Sequence, residues 1–133
     1  YEQLMPVIAS RTAQRAAGNY RQAAGQLAED RAAAFLESRG WQILLRNFRR
    51  RGGELDIIAH REQVLIIAEV RMRVRDDFGG AAASVDARKR GRIIRTAAAL
   101  LQSRPALTGY RVRFDVLVVR EGAIDWIEHA FTA

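Results

Sequence analysis

Apolar positions recur along this chain at two spacings, and the changes between them mark its elements. Across residues 26–39, Leu27, Ala28, Ala32, Phe35 and Leu36 return every three or four positions and Gly40 follows as a stop, the pattern of an amphipathic helix. Glu29 and Asp30 fall in its first turn, where the helix dipole favours carboxylates. Residues 41–45 then read as a strand, 49–53 as a basic turn, 54–60 as a second strand and 63–71 as a third, with a continuous apolar run at 64–68. A long loop is expected over 72–85, carrying Asp76, Asp77, Gly79 and Gly80; long irregular connections in compact domains are often functional or mobile. Helical spacing returns over 86–102 through Ile93, Ile94, Ala97, Ala98, Leu100 and Leu101, and Pro105 lies beyond it. Residues 111–119 predict a fourth strand and 123–128 a short fifth. The order α-β-β-β-α-β-β predicts an α/β domain, a central mixed sheet flanked by helices.

Residues 1–24 fit neither spacing. No acid occurs from Gln3 to Ala28, Arg11, Arg15 and Arg21 are basic, and large apolar side chains are sparse after Ile8. A basic arm, poorly ordered or loosely docked, is expected ahead of one domain at 25–133. Met5-Pro6 reads as a natural start, with Tyr1 to Leu4 additional to it.

Composition narrows the chemistry. The 133 residues are 49% hydrophobic with two prolines and no cysteine. That suits one folded domain and excludes disulfides, thiolate metal sites and cysteine nucleophiles. The longest apolar run is too short to cross a bilayer and no signal-peptide pattern opens the sequence, so a cytoplasmic protein without a membrane partner is expected. Lysine and arginine total 22 against 15 acids, a net charge of +7. Of the 22, 21 are Arg and one is Lys, Lys89. Genomic bias toward Arg codons accounts for that ratio but not for the excess over acid. The excess favours a polyanionic partner, nucleic acid first.

Acids are depleted in strands, yet Glu54 and Asp56 open the second strand and Glu69 closes the third, two residues before Arg71. Alternation puts Glu54 with Asp56, and Glu69 with Arg71, on one face each. A hairpin turn at Arg61-Glu62 would set Asp56 against Ile67; a turn at Glu62-Gln63 would set it directly against Glu69. Both bring the two carboxylates to one face, with Cβ atoms roughly 5–8 Å apart. Such a pair repels, and desolvation adds to the cost. A divalent cation resolves the conflict, and oxygen donors suit Mg²⁺ or Mn²⁺ rather than Zn²⁺. A salt bridge to Arg71 resolves part of it without a metal.

The runs Glu29…Gly40-Trp41…Asn47-Phe48-Arg49, Gly53-Glu54-Leu55-Asp56-Ile57-Ile58-Ala59, Glu69-Val70-Arg71, Ala83-Ser84-Val85-Asp86-Ala87-Arg88-Lys89, Arg113-Phe114-Asp115-Val116 and Ala130-Phe131 resemble the YraN-type family of small bacterial proteins. That family is largely uncharacterised. It is similar to a minimal restriction-endonuclease-like nuclease and, distantly, to archaeal Holliday junction resolvases. The resemblance covers 25–131 with the motifs in order. It implies a restriction-endonuclease-like αβββαβ core with a D-x(n)-E-x-K metal site. Position by position, it implies metal binding by Asp56 and Glu69, a supporting acid on the first helix at Glu29, and a phosphate contact at Lys89. Glu54 has either a site role or a turn-supporting one, and Arg113-Phe114-Asp115 is expected to be structural. The chain departs from the pattern at one place: Arg71 stands where the motif has Lys. Arg can offset charge on phosphate, but it does not readily lose a proton and its fork is wider than an ammonium. Lys89 could substitute if the second helix places it near the site.

The clusters Arg49-Arg50-Arg51, Arg71-Arg73-Arg75 and Arg88-Lys89-Arg90-Arg92 flank the acids and are expected to neutralise phosphates, giving salt-dependent, sequence-independent binding. His60 and His129 lack ligand spacing, no phosphate-binding Gly-rich loop is present, and Trp41, Phe48 and Trp126 read as core. The expected function is that of a Mg²⁺- or Mn²⁺-dependent endonuclease acting on DNA. Branched DNA and a homodimer with two active sites follow from the resolvase likeness alone. The alternatives are a non-catalytic nucleic-acid-binding module, with Arg71 bridging the carboxylates, and an adapter whose basic face binds an acidic protein.

Overall fold

A computed structural model describes residues 5–73 and 84–133, with side chains from residue 22 onward. Helix α1 (Met5–Ser38) precedes three strands, β1 (Gln42–Arg50), β2 (Gly53–Arg61) and β3 (Val64–Met72). Helix α2 (Ala87–Ser103), a single 3-10 turn (Pro105–Leu107) and strands β4 (Arg111–Arg120) and β5 (Ala123–Phe131) complete the order. The five strands form one sheet in the order β1-β2-β3-β4-β5. Only β3 and β4 are parallel; every other pairing is antiparallel. A parallel pair needs a crossover, and α2 lies in that connection. The architecture is the expected α/β one and fits a restriction-endonuclease-like αβββαβ core.

One helix covers each face. Ala28, Ala32, Ala33 and Leu36 of α1 pack on Ile57, Ala59, Ile66, Ala68, Leu117 and Val119; the small alanines let the helix axis lie close to the sheet. On the other face, Ile93, Ala97 and Leu100 of α2 pack on Leu55, Ile58, Leu65, Ile67, Phe114 and Phe131. Strands buried on both sides read as unbroken apolar runs, which is why 64–68 carries no polar position.

Three boundaries differ from expectation. Strand β5 runs to Phe131 rather than ending at 128. The first helix starts at Met5 rather than near residue 26, because alanine propensity carries it through a stretch with few apolar anchors and Pro6 falls in its first turn, where no backbone donor is lost. Residues 1–4, and the side chains on which loose docking of the expected arm would rest, lie outside the described residues. Strand β1 runs on to Arg50, so the basic turn shrinks to Arg51-Gly52, with Gly52 at φ 85°. Charged residues are common on an edge strand, where they discourage further pairing. Most of the loop expected over 72–85 lies outside the described residues. Among those described, no helix is long and apolar enough to cross a membrane.

Candidate functional site

The β2–β3 hairpin closes with Arg61 paired to Val64, leaving Glu62-Gln63 as its turn. This is the second of the two registers the sequence allowed. The ladder runs back to Ile57 opposite Ala68, and one step further sets Asp56 against Glu69. There the backbone pairing gives way: the Val70 N–H donates to Asp56 Oδ2 at 2.8 Å. Alternation slips at the same point, since Leu55 packs in the α2-side layer while Ile57 packs against α1.

The Asp56 and Glu69 carboxyl groups interact, and Glu69 favours the protonated form of Asp56. Burial is the main cause that raises the Asp56 pKa, followed by the hydrogen bond to Glu69 and its charge; Glu54 adds a little and the Val70 N–H opposes. The result is an aspartate pushed up to about 8. Glu69 is itself only 9% exposed. A carboxyl pair in this setting is short of positive charge.

Helix α2 supplies some. The Asp86 side chain caps it, accepting the Lys89 N–H at 2.8 Å, which places Lys89 in the first turn. Gly53, at the start of β2, abuts the same helix: a Cβ there would lie 2.0 Å from Thr96 Oγ1 and 3.3 Å from the Arg92 carbonyl oxygen. Only a glycine lets strand and helix approach this closely. The approach brings Lys89 Nζ to 3.7 Å from Glu69 Oε2. A cleft of about 460 Å³ opens beside Asp56, lined by Arg49, Arg50, Glu54, Asp56, Lys89 and Arg92 with Gly52, Gly53 and Ile93. Its lining carries both acids and bases. Glu54 lies 3.4 Å from Arg49 Nε.

Other expected site residues lie elsewhere. Glu29 is buried on the α1 side, where Arg46 Nε donates to it at 2.9 Å and Arg46 Nη2 donates to Asp30 at 2.6 Å. It is not brought to the pair; Arg46, whose place in the strand interior gave no hint of this, is its partner. Arg71 is half-buried on β3 in register with Val118, and the cation next to Glu69 is Lys89 instead. Arg51 and Arg88 are exposed and do not line the cleft. Arg73 closes a different groove beside Met72, Arg120 and Glu121. Arg75 lies outside the described residues. His60 is occupied by Gln42 and Tyr110. Among the described residues no three His, Cys, Asp or Glu side chains converge as a metal cage, so this part of the chain offers a cation two carboxylates. The close approach at Gly53 was not visible in sequence, where the Gly-Gly pair signalled only a turn.

The model of the uncharacterised protein family UPF0102 matches residues 28–119. A UPF0102 protein of Dechloromonas aromatica is 46% identical over 111 residues, 84% of this chain and 90% of its own length. One from Halorhodospira halophila is 46% identical over 107 residues, covering 80% and 85%. Another, from Nitrosomonas europaea, is 43% identical over 110 residues, covering 80% and 92%.

Proposed function

The chain belongs to the uncharacterised protein family UPF0102, and from its geometry we propose that it is a metal-dependent endonuclease that hydrolyses DNA phosphodiester bonds. One observation carries the reading: half-buried Asp56, which interacts with buried Glu69, lines a cleft together with Arg49, Arg50, Lys89 and Arg92. Opposed signs of charge side by side match a divalent cation on the acids and a phosphate on the bases.

The donor set fits Mg²⁺ or Mn²⁺. Both donors are hard oxygens, the chain has no cysteine, and burial and the neighbouring carboxyl group disfavour the charged form of Asp56. Asp56 and Glu69 would hold the ion, which when bound supplies Lewis-acid activation of water and stabilises charge on the phosphoryl group. Glu29, engaged by Arg46 on the α1 side, stays outside this donor set. The Val70 N–H fixes the Asp56 carboxyl. Arg49, Arg50 and Arg92 neutralise the nucleic-acid backbone, a role that reads phosphate rather than base. Hydrolysis adds water across one P–O bond: the water oxygen bonds to phosphorus and the departing oxygen leaves as an alcohol with a proton. Branched DNA as substrate, and a homodimer presenting two such clefts to paired strands, extend the proposal by family likeness.

Incubating the purified chain with branched and linear DNA, with Mn²⁺ or with chelator, tests the reading. Cleavage that needs Mn²⁺ and is lost in Asp56→Ala and Glu69→Ala is the expected result. Cleavage surviving both substitutions overturns it. So does DNA binding that weakens with salt in the absence of any cutting, which would mark the chain as a binding module.

A further inference from the structure

We propose that the ammonium of Lys89, carried on α2, is a catalytic group of this site: it contacts the scissile phosphate beside the Asp56–Glu69 pair, in the role the sequence motif assigns to position 71. The inference deepens the nuclease reading and rests on it.

Geometry comes first. Lys89 Nζ lies 3.7 Å from Glu69 Oε2, and its side chain is 39% exposed against 9% for Glu69. The ammonium therefore touches the carboxylate on one side and faces the cleft on the other. It has three N–H donors, and Glu69 can engage only some of them. The rest are directed by elimination to whatever fills the cleft, and the surrounding arginines select an anion there.

The position is built rather than incidental. The Asp86 cap holds the Lys89 backbone N–H. The tight packing of Gly53 on Arg92 and Thr96 presses the first turns of α2 against the start of β2. Both features set how far the lysine stem must reach to the pair.

Composition gives an independent argument. Twenty-one of the 22 basic residues are arginine, and the single lysine is the one beside the carboxylates. A bias that writes arginine elsewhere has left an ammonium at this position. An ammonium is a compact point charge that fits next to a metal-binding carboxylate, whereas a guanidinium fork spans two acceptors and fills the space a phosphate oxygen needs. Arg71, by contrast, is half-buried on β3, and no ion pair joins it to Glu69 among the described residues.

The test compares the full-length wild type, Lys89→Met, Lys89→Arg, Arg71→Met and Arg95→Met, the last an exposed residue of the same helix. Mn²⁺-dependent cleavage rates, DNA affinity and Mn²⁺ affinity by calorimetry are measured for each. Lys89→Met is expected to lower the turnover rate by roughly 10²–10³, as losing one preorganised transition-state donor does. Its DNA affinity should change by less than about threefold and its Mn²⁺ affinity should stay the same or rise, because a competing cation has left Glu69. Lys89→Arg is expected to recover part of the rate, Arg95→Met to behave as wild type, and the loss at 89 to exceed that at 71 at least tenfold. Wild-type turnover in Lys89→Met overturns the proposal while leaving the nuclease reading intact. A larger loss at 71 than at 89 does the same, as does a weaker Mn²⁺ site in Lys89→Met, which would make the lysine a structural prop. A wild type that cuts nothing overturns both together.

Discussion

Two aspartates of one sheet are held in opposite ways. Asp115 on β4 is fully buried, and donors surround it: Arg113 Nε and Nη2 at 2.9 and 2.8 Å, Trp126 Nε1 at 2.8 Å and the His129 N–H at 3.0 Å. Asp56 on β2 has one backbone donor and another carboxyl group. The first arrangement holds a negative charge in place using only the chain's own groups. Among the described residues, the second has one cation nearby, the Lys89 ammonium reaching Glu69 from α2. A buried carboxylate is tolerated when it is paired and hydrogen-bonded. The contrast marks Asp115 as scaffold, and the Asp56–Glu69 pair is where the proposed cation would sit.

The comparison breaks first, and with the largest effect, at Asp115. Asp115→Ala leaves Trp126 Nε1 and the His129 N–H without their acceptor and Arg113 with Glu128, and should cost ~3–5 kcal/mol in urea unfolding. A loss below about 1 kcal/mol would mean the network is dispensable.

At Asp56 the comparison is tested by the pH profile of stability. The aspartate's folded pKa of about 8 stands above the ordinary unfolded value near 3.9, so the folded chain binds the extra proton. The stabilisation from that proton is complete below pH ~4 and is lost as pH rises to about 8, amounting to a few kcal/mol. Metal-free wild type should therefore lose stability across this window, and Asp56→Asn should flatten the profile. A wild-type profile that is flat or rises with pH over this window refutes the assignment.

At Gly53 the expected effect is smaller. Gly53→Ala drives a methyl group into Thr96 Oγ1 and should destabilise by about 2 kcal/mol, in the range of overpacked contacts. Pairing it with Thr96→Ala should recover part of that. Full stability in the single variant would show that α2 can draw back without cost. Smallest is Asp86→Ala at the α2 cap, which should lower the melting temperature slightly; an unchanged melting temperature would show that packing alone holds the first turn.

How much of this was legible in the sequence follows from the range of each interaction. The element order, the α/β class and the likeness to the YraN-type family all stand, because hydrophobic period and ordered motifs are local signals. The Asp56–Glu69 meeting was legible to within two registers, since either even turn puts both acids on one face; the Glu62-Gln63 turn decided between them. Arg113-Phe114-Asp115 was expected to be structural, and Asp115 has the four donors that such a role requires. Glu29 was misleading because a helical position does not reveal which way its face turns on a sheet, and Arg46 claims it. Lys89 was named as a phosphate contact and as a substitute for position 71. What sequence could not supply was how closely α2 approaches β2, which is tightest at Gly53. Of the basic residues expected to contact phosphates, Arg51 and Arg88 are exposed outside the cleft, and Arg73 lines a different groove.

The central claim is that the two neighbouring carboxyl groups form a divalent-cation site. Calorimetric titration of the metal-free chain with Mn²⁺, beside Asp56→Asn and Glu69→Gln, tests it most directly. The account predicts saturable binding in the wild type and at least a tenfold weaker site in either variant. Equal binding in all three, or none in the wild type, would contradict it.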